Sequence, residues 1–305
     1  MCVAAGSYKD AFKGTAYYYA RFRPAYTLEF FGLLQRAFHL DGTGRLLDLG
    51  CGTGQIALPL SLFFGEVVAM DPEPEMLAEA QEEIDEAEAR NITLVQGGSS
   101  DLPTLIDSLG KFRLVTMGSS FHWMDRAATL DLLSRMVEPG GGIAIASSGS
   151  LWTDGTPWCR AVRATVQKWL GEERRAGSST YSDPTERHEA IIDRSRFGPC
   201  RSYVFRYRQD WTVDKIIGYL YSTSFCSPRL LGDDREAFEK ELRETLLHLQ
   251  PSGAFTEDVS LEVHLGMLRS RWRTCAGSHA RGEGHRSLPA EISEIGCFDS
   301  GPTSR

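Results

Sequence analysis

An α/β fold built on a doubly wound, mostly parallel sheet is predicted by three observations. Apolar runs of strand length alternate with helical segments between residues 45 and 146. The first run, Leu46-Leu47-Asp48-Leu49, ends in Gly50-Cys51-Gly52-Thr53-Gly54-Gln55, a turn with glycine at every second position. Acids follow the next two runs, Asp71 after the second and Asp101 after the third. Such alternation places helices on both faces of a parallel sheet. Ligands of these sheets lie across the carboxyl ends of the strands.

The elements follow in order. Residues 8–21 read as one amphipathic helix carrying Phe12, Tyr17, Tyr18 and Tyr19, ended by Arg23-Pro24 because proline disfavours a helical residue before it. Residues 28–38 read as a helix with Leu28, Phe31, Leu34 and Phe38 near helical spacing, and Asp41-Gly42-Thr43-Gly44 as a turn. After the glycine turn come a helix over 56–64, a strand over 63–71 and a Glu- and Ala-rich helix over 74–89. A third strand spans 92–96 and a fourth 112–118, with a glycine-rich loop at 97–103 after the third. A helix over 126–137 leads through Pro139-Gly140-Gly141-Gly142 into a fifth strand at 143–146.

Beyond residue 147 the pattern loosens. Helices are expected over 158–170, 213–222 and 235–249, and a polar loop over 172–184. Residues 203–208 alternate as a half-buried strand, and 259–268 as the last strand, with Leu261, Val263 and Leu265 facing one way and Glu262 and His264 the other. From Arg271 onward no period survives, which predicts disorder. The expected organisation is therefore N-terminal helices over 1–40 that cap the site, a core over 41–150, a lid with the last strands over 151–270, and a disordered tail over 271–305.

Bulk properties narrow the partners. A formal charge of -8 and a pI near 5.5 argue against a dedicated nucleic-acid surface, which needs clustered Lys and Arg. The 42% hydrophobic content suffices for a full core. Seven cysteines are scattered as singles without a C-x-x-C pair, the distribution of a reduced, cytoplasmic protein without a metal or disulfide framework. Lys9, Asp10 and Lys13 interrupt the first segment, so no secretory signal is expected, and no apolar run reaches the roughly 18 residues of a membrane span. A homo-oligomer is compatible with this composition.

The glycine turn lets the backbone approach a nucleotide-like ligand closely. A dinucleotide site wants a third glycine three residues after the second, and the chain has Gln55 there. The pattern G-x-G-x-G after Asp48 resembles that of class I S-adenosylmethionine-dependent methyltransferases. Asp71, about twenty residues on, stands where an acid can accept from both ribose hydroxyls. Phe121-His122-Trp123-Met124-Asp125 after the fourth strand is similar to the small-molecule, natural-product members of that class. The four motifs are collinear over about residues 8–148.

The resemblance implies a Rossmann-like, seven-stranded sheet whose last strand is antiparallel, a lid, and S-adenosylmethionine as methyl donor. It implies that Gly50, Cys51, Gly52 and Gly54 cradle the cofactor and that Asp48 receives its ammonium group. Asp71, with Pro72 and Met76 after it, would hold the ribose. Ser100, Asp101 and Leu102, with Gly118, Ser119 and Phe121, would surround the adenine, Asp101 taking its amine. Tyr19 and Arg23 stand where a Y-x-x-R-x-P-type segment closes over the methionine end, and Tyr19 can also pack a helix on the sheet.

His122 is the candidate catalytic base, since imidazole titrates in the useful range, and equally a wall of the pocket. His188, His248 and His264 fall on a polar loop, a helix and a strand, apart from other candidate metal ligands. Trp152, Trp158, Trp169, Phe197, Trp211, Tyr219, Tyr221 and Phe225 gather in the lid half, which favours a small, largely apolar or aromatic acceptor of secondary metabolism. Oxygen, nitrogen and carbon acceptors fit. The rivals are C-methylation of an alkene with carbocation cyclisation, a nicotinamide oxidoreductase, a macromolecule methyltransferase, and a cofactor-binding protein without methyl transfer.

Overall fold

A computed structural model describes residues 10–149, 151, 155–177, 179–181 and 185–268. The tail expected over 271–305 and Trp152 lie outside the described residues. Chain segments 10–14 form a turn, and the first helix, α1, covers only Ala16–Phe22. The single helix expected over 8–21 is broken at Gly14, whose φ of 77° is left-handed and whose N–H donates to Glu75 Oε2 at 2.6 Å. Helix α2 (Leu28–Ala37) follows, capped by the Thr27 side chain.

Strand β1 (Arg45–Leu49) leads through the glycine turn into the short α3 (Ala57–Leu60) and a 3-10 turn. Then come β2 (Glu66–Asp71), α4 (Pro74–Glu86) and β3 (Ile92–Gln96). An unexpected helix, α5 (Leu102–Leu109), precedes β4 (Phe112–Gly118). Helix α6 (Arg126–Met136) is capped by Asp125 and runs into β5 (Val137–Ser148), which begins before the Pro139 turn instead of after it, with a bulge opposite Phe112 and Leu114.

Helix α7 (Pro157–Leu170) is followed by a small hairpin, β6 (Arg175–Ala176) and β7 (Ser179–Thr180), within the segment read as a loop. His188 opens helix α8 (His188–Arg194) and does not sit on a loop. Strand β8 (Arg201–Thr212), α9 (Val213–Tyr221), α10 (Pro228–Leu231), α11 (Arg235–Leu249) and β9 (Ala254–Met267) complete the chain.

The seven long strands form one sheet in the order β3-β2-β1-β4-β5-β9-β8. Neighbours from β3 to β5 are parallel, and β9 is antiparallel to both β5 and β8. Six strands thus share one direction, and β9 alone is reversed, as expected for the last strand. Strand order turns at β1, which has β2 on one side and β4 on the other. That switch point opens a crevice at the carboxyl ends.

Two core clusters cover the sheet faces. One packs Phe30, Leu34 and Phe38 of the α2 segment and Leu60 of α3 on Leu46, Val67 and Leu114. The other packs Leu102, Leu109, Leu130, Leu133, Ile191 and Ile192 on Leu47, Val115 and Ile145. A third joins α7, α9, α10 and α11 to Trp211 and Phe255. Gly218 of α9 lets α1 cross it closely, since a Cβ there would lie 2.3 Å from the Phe22 ring. No described helix is long and apolar enough to cross a membrane.

Candidate active site at the carboxyl ends of the strands

A cavity of about 150 Å³ opens at the switch point. The predicted residues Tyr19, Gly50, Gly52, Asp71, Pro72, Met76, Ser100, Asp101, Gly118 and Ser119 line it. Gly50 has φ of 74°, and a Cβ there would lie 2.5 Å from Ser120 Cβ, so only glycine fits. Its N–H and that of Cys51 both donate to Met70 O, fixing the turn against β2.

Asp71 closes the turn from the other side. Its Oδ2 accepts from Gly52 N–H and its Oδ1 from Glu73 N–H, both at 2.9 Å. Burial nevertheless pushes its pKa up to about 6, outweighing the two hydrogen bonds. Across the cavity, Asp101 Oδ2 accepts from Gly98 N–H at 2.8 Å, which folds the loop after β3 back on itself.

Asp48 does not reach the cavity. It is 1% exposed, with Oδ1 accepting from the Thr116 hydroxyl at 2.7 Å and Oδ2 from Ala57 N–H at 3.1 Å. Its carboxylate ties β1 to β4 and to the start of α3, and burial lifts its pKa to about 7. Cys51, Gly54, Leu102 and Phe121 also lie behind the lining. Leu102 and Phe121 are buried in the core, and burial pushes the Cys51 thiol up.

Arg23 is absent from this lining too. Its Nε donates to Ser222 Oγ at 2.8 Å, and its guanidinium lies between the rings of Tyr19 and Tyr219, 4.8 and 4.9 Å from their centroids. It borders a second cavity with Tyr19, Tyr26, Gln55, Ser119, Tyr207, Trp211, Tyr219 and Glu257. Tyr19 and Ser119 therefore stand between the two spaces. Ser119 has φ of 50°, a strained conformation for a residue with a side chain, and it hydrogen-bonds Tyr26.

His122 lines neither cavity. It is half-buried against Trp123 and Tyr181, at centroid distances of 4.8 and 5.9 Å. Burial first, then His188 and nearby arginines, push its pKa down to about 3, too weak a base to draw a proton from an acceptor. His188 and His264 are closer than the sequence implied, 6.2 Å between rings. No cluster among the described residues could hold a metal ion.

Leu49, Gly98, Ser99 and Ser120, from runs already read, also line the cavity, and Phe12, Glu73, Trp123 and Met124, which the sequence reading missed, complete the lining. Trp123 and Met124 belong to a run already singled out. Phe12 arrives through the turn at Gly14 and stacks edge-on against Tyr19 and Trp123, a contact without local signal. The described lining holds three carboxylates, Asp71, Glu73 and Asp101, and no lysine, arginine or histidine. Such a cavity suits a cationic ligand with hydroxyl and amine donors, as S-adenosylmethionine is. It would repel a pyrophosphate, which disfavours a dinucleotide.

Comparison with known proteins gives the same answer. Residues 46–141 match the sequence model of a family described as a methyltransferase domain. An uncharacterised methyltransferase of Mycobacterium bovis is 27% identical over 212 residues, 68% of this chain and 74% of its own length. In fold, the chain is similar to a protein of Anaeromyxobacter dehalogenans described as a candidate type II methyltransferase. The TM-score is 0.51 at 21% identity, covering 81% of this chain and 98% of that one. It is also similar to phosphoethanolamine N-methyltransferase 2 of Haemonchus contortus, solved with phosphomonomethylethanolamine and S-adenosylhomocysteine. There the TM-score is 0.51 at 15% identity, covering 88% of this chain and 61% of that one. Residues 46–141 thus match a methyltransferase domain, and with the relatives they support a class I S-adenosylmethionine-dependent methyltransferase.

Proposed function

We propose that the first cavity holds S-adenosylmethionine and the second holds a small acceptor with an aromatic or largely apolar body, the kind of molecule natural-product pathways methylate. The observation that carries this reading is that the charged side chains lining the first cavity are all acidic, beside an aromatic second cavity, with Tyr19 and Ser119 shared between them. Asp71 takes the ribose hydroxyls, Asp101 the adenine amine, and the Gly50–Gly52 backbone lies along the methionine part. Pro72, Met76 and Ser100 complete the walls, and Asp48 supports the turn from below.

When bound, the cofactor supplies a methyl group activated by positive sulfur. The chain's own contribution is positioning. The acceptor atom must meet that methyl about 3 Å away and in line with the bond that breaks. Arg23 fastens α1 to α9 and so closes the cofactor cavity on the acceptor side. The Tyr19 ring, held by Arg23 and Phe12, offers its face to a cation, worth on the order of 1–2 kcal/mol when desolvated.

Isothermal titration with S-adenosylhomocysteine tests the assignment. Asp71→Ala is expected to weaken binding at least tenfold while the chain stays folded by circular dichroism. Unchanged affinity would remove Asp71 and its cavity from the cofactor site. Labelled methyl appearing in no small-molecule pool, but in protein or RNA of a cell extract, would overturn the acceptor class.

A further inference from the structure

Where the two cavities meet, two local constraints bring a pair of hydroxyls together. Gly118 ends β4 in strand conformation, yet a Cβ there would run into the Tyr26 hydroxyl and Ile56 Cδ1. Glycine at 118 is therefore required by the close approach of the Tyr26 phenol and not by its own backbone. Ser119, the next residue, holds a φ of 50°, which costs free energy for a residue with a side chain. Its N–H donates to Ala146 O at 2.7 Å, which anchors that conformation on β5. The Ser119 hydroxyl and the Tyr26 phenol share a hydrogen bond.

The pair stands at the boundary that a transferred methyl must cross. Ser119 borders both cavities, Gly118 the cofactor cavity and Tyr26 the acceptor cavity. One bond between two hydroxyls uses one of their two hydrogens, so one donor and several lone pairs are left over. Among the described residues neither hydroxyl has a second hydrogen-bond partner. Burial first, then Tyr19, holds the Tyr26 phenol well above the usual phenol range, so it keeps its proton. The pair therefore offers hydrogen bonds at neutral pH and does not act as a base. It disfavours one class of acceptor. Methylating an alkene carbon creates a carbocation, and a hydroxyl oxygen beside it would capture that cation. A nitrogen or oxygen acceptor brings what the pair can use, a hydrogen to donate, and keeps a lone pair for the methyl.

We propose that the methyl-accepting atom is a nitrogen or oxygen that carries hydrogen, held at this boundary by the Tyr26–Ser119 hydroxyl pair. Its hydrogen is donated to a hydroxyl oxygen of the pair, which turns its lone pair toward the cofactor cavity. The lone pair forms the new bond to the methyl carbon, the carbon–sulfur bond breaks, and its electrons stay on sulfur. The proton of the heteroatom passes to solvent water as the positive charge leaves sulfur. Tyr26 and Ser119 position the acceptor and exchange no proton with it. The inference rests on the two-cavity reading above and decides among the acceptor atoms that the sequence leaves open.

The test uses three probes of one shape, all uncharged at neutral pH: aniline, phenol and toluene. Each is titrated by ligand-observed NMR into the full chain saturated with S-adenosylhomocysteine. Aniline and phenol are expected to bind roughly tenfold more tightly than toluene, the worth of one hydrogen bond. Tyr26→Phe removes the phenol oxygen alone and should cut that preference to below about twofold, leaving toluene affinity unchanged. A merely structural role for Tyr26 would weaken all three probes together and leave the preference in place. With methyl-labelled S-adenosylmethionine instead, label should appear on the nitrogen of aniline or the oxygen of phenol. Equal binding of the three probes, a preference that survives Tyr26→Phe, label on a ring carbon, or label on neither probe would overturn the proposal. The probe comparison on wild type stands even where the variant fails to fold. Loss of S-adenosylhomocysteine binding by the wild type would instead sink the cofactor-site reading, so the two failures are distinguishable.

Discussion

Asp71 accepts backbone hydrogen bonds on both oxygens, yet burial holds its pKa near 6. Only the ionised carboxylate offers acceptors on both oxygens to ribose hydroxyls; protonation turns one of them into a donor. Affinity for S-adenosylhomocysteine should therefore rise as pH increases from 5 to 7 and level off above. Asp71→Asn should bind more weakly and lose most of that slope, as titration calorimetry across pH would show. His122 has the opposite standing: outside both cavities and unprotonated at neutral pH, it should tolerate replacement. His122→Gln is expected to keep kcat within about threefold of wild type, and a drop beyond a hundredfold would restore it as a base. Asp71 and Asp101 were legible because each follows an apolar run that predicts a strand end. Glu257 was legible in principle. Extending the Leu261–Val259 alternation back by one step places it inward, but a polar residue there ended the apparent strand. Asp48 shows the reverse limit, since its position beside the turn gives no hint that Thr116 and Ala57 already occupy its oxygens.

Helix α1 is seven residues long, too short to persist alone, so its place over the site depends on the elements it touches. Arg21 pairs with Glu79 of α4, Phe22 crosses Gly218 of α9, and Arg23 reaches Ser222. Arg23→Ala removes the Ser222 hydrogen bonds and both ring contacts, at a cost on the order of 1–2 kcal/mol. The expected signature is faster amide exchange confined to residues 16–22, with a raised KM for the cofactor. Exchange unchanged in α1 would show that packing alone holds it. The same dependence on tertiary contacts explains which elements the sequence revealed. Strands β3 and β4 and helix α11 have strong periods and appear at the expected residues. Helices α5 and α8 are eight and seven residues long, have no side-chain cap at their N-termini, and owe their form to Leu102, Leu109, Ile191 and Ile192 in one core cluster. The local signals are slight, Pro103 at the start of α5 and Gly110 just past its end. The extra length of β8 and β9 is likewise set by their mutual pairing beyond the sheet, and that ribbon carries the far wall of the second cavity.

At the scale of the whole molecule, buried acids concentrate where the fold reverses strand order. Asp48, Asp71 and Glu73 all have pKa values raised chiefly by burial, and all lie at or beneath the glycine turn. A negatively charged crevice is unfavourable for the free protein and favourable for a cationic cofactor, so the stability given up at this point returns on binding. The cost has a defined pH dependence. Asp48 titrates at 3.8 in its ordinary state and at about 7 when folded. Below 3.8 both states hold the proton and the group contributes no penalty. Between 3.8 and 7 the unfolded chain has released a proton that the folded one keeps, so stability falls as pH rises, and above 7 the penalty is complete. From pH 5 to pH 8 this single group should remove on the order of 2 kcal/mol. Asp48→Asn retains an oxygen for Ala57 N–H and an amide for the Thr116 hydroxyl, and it carries no charge to desolvate. Urea unfolding at pH 5 and pH 8 should therefore show a smaller loss for Asp48→Asn than for wild type, with the variant the more stable of the two at pH 8. Parallel losses in both proteins would mean that the carboxylate of Asp48 is not the source of the pH dependence.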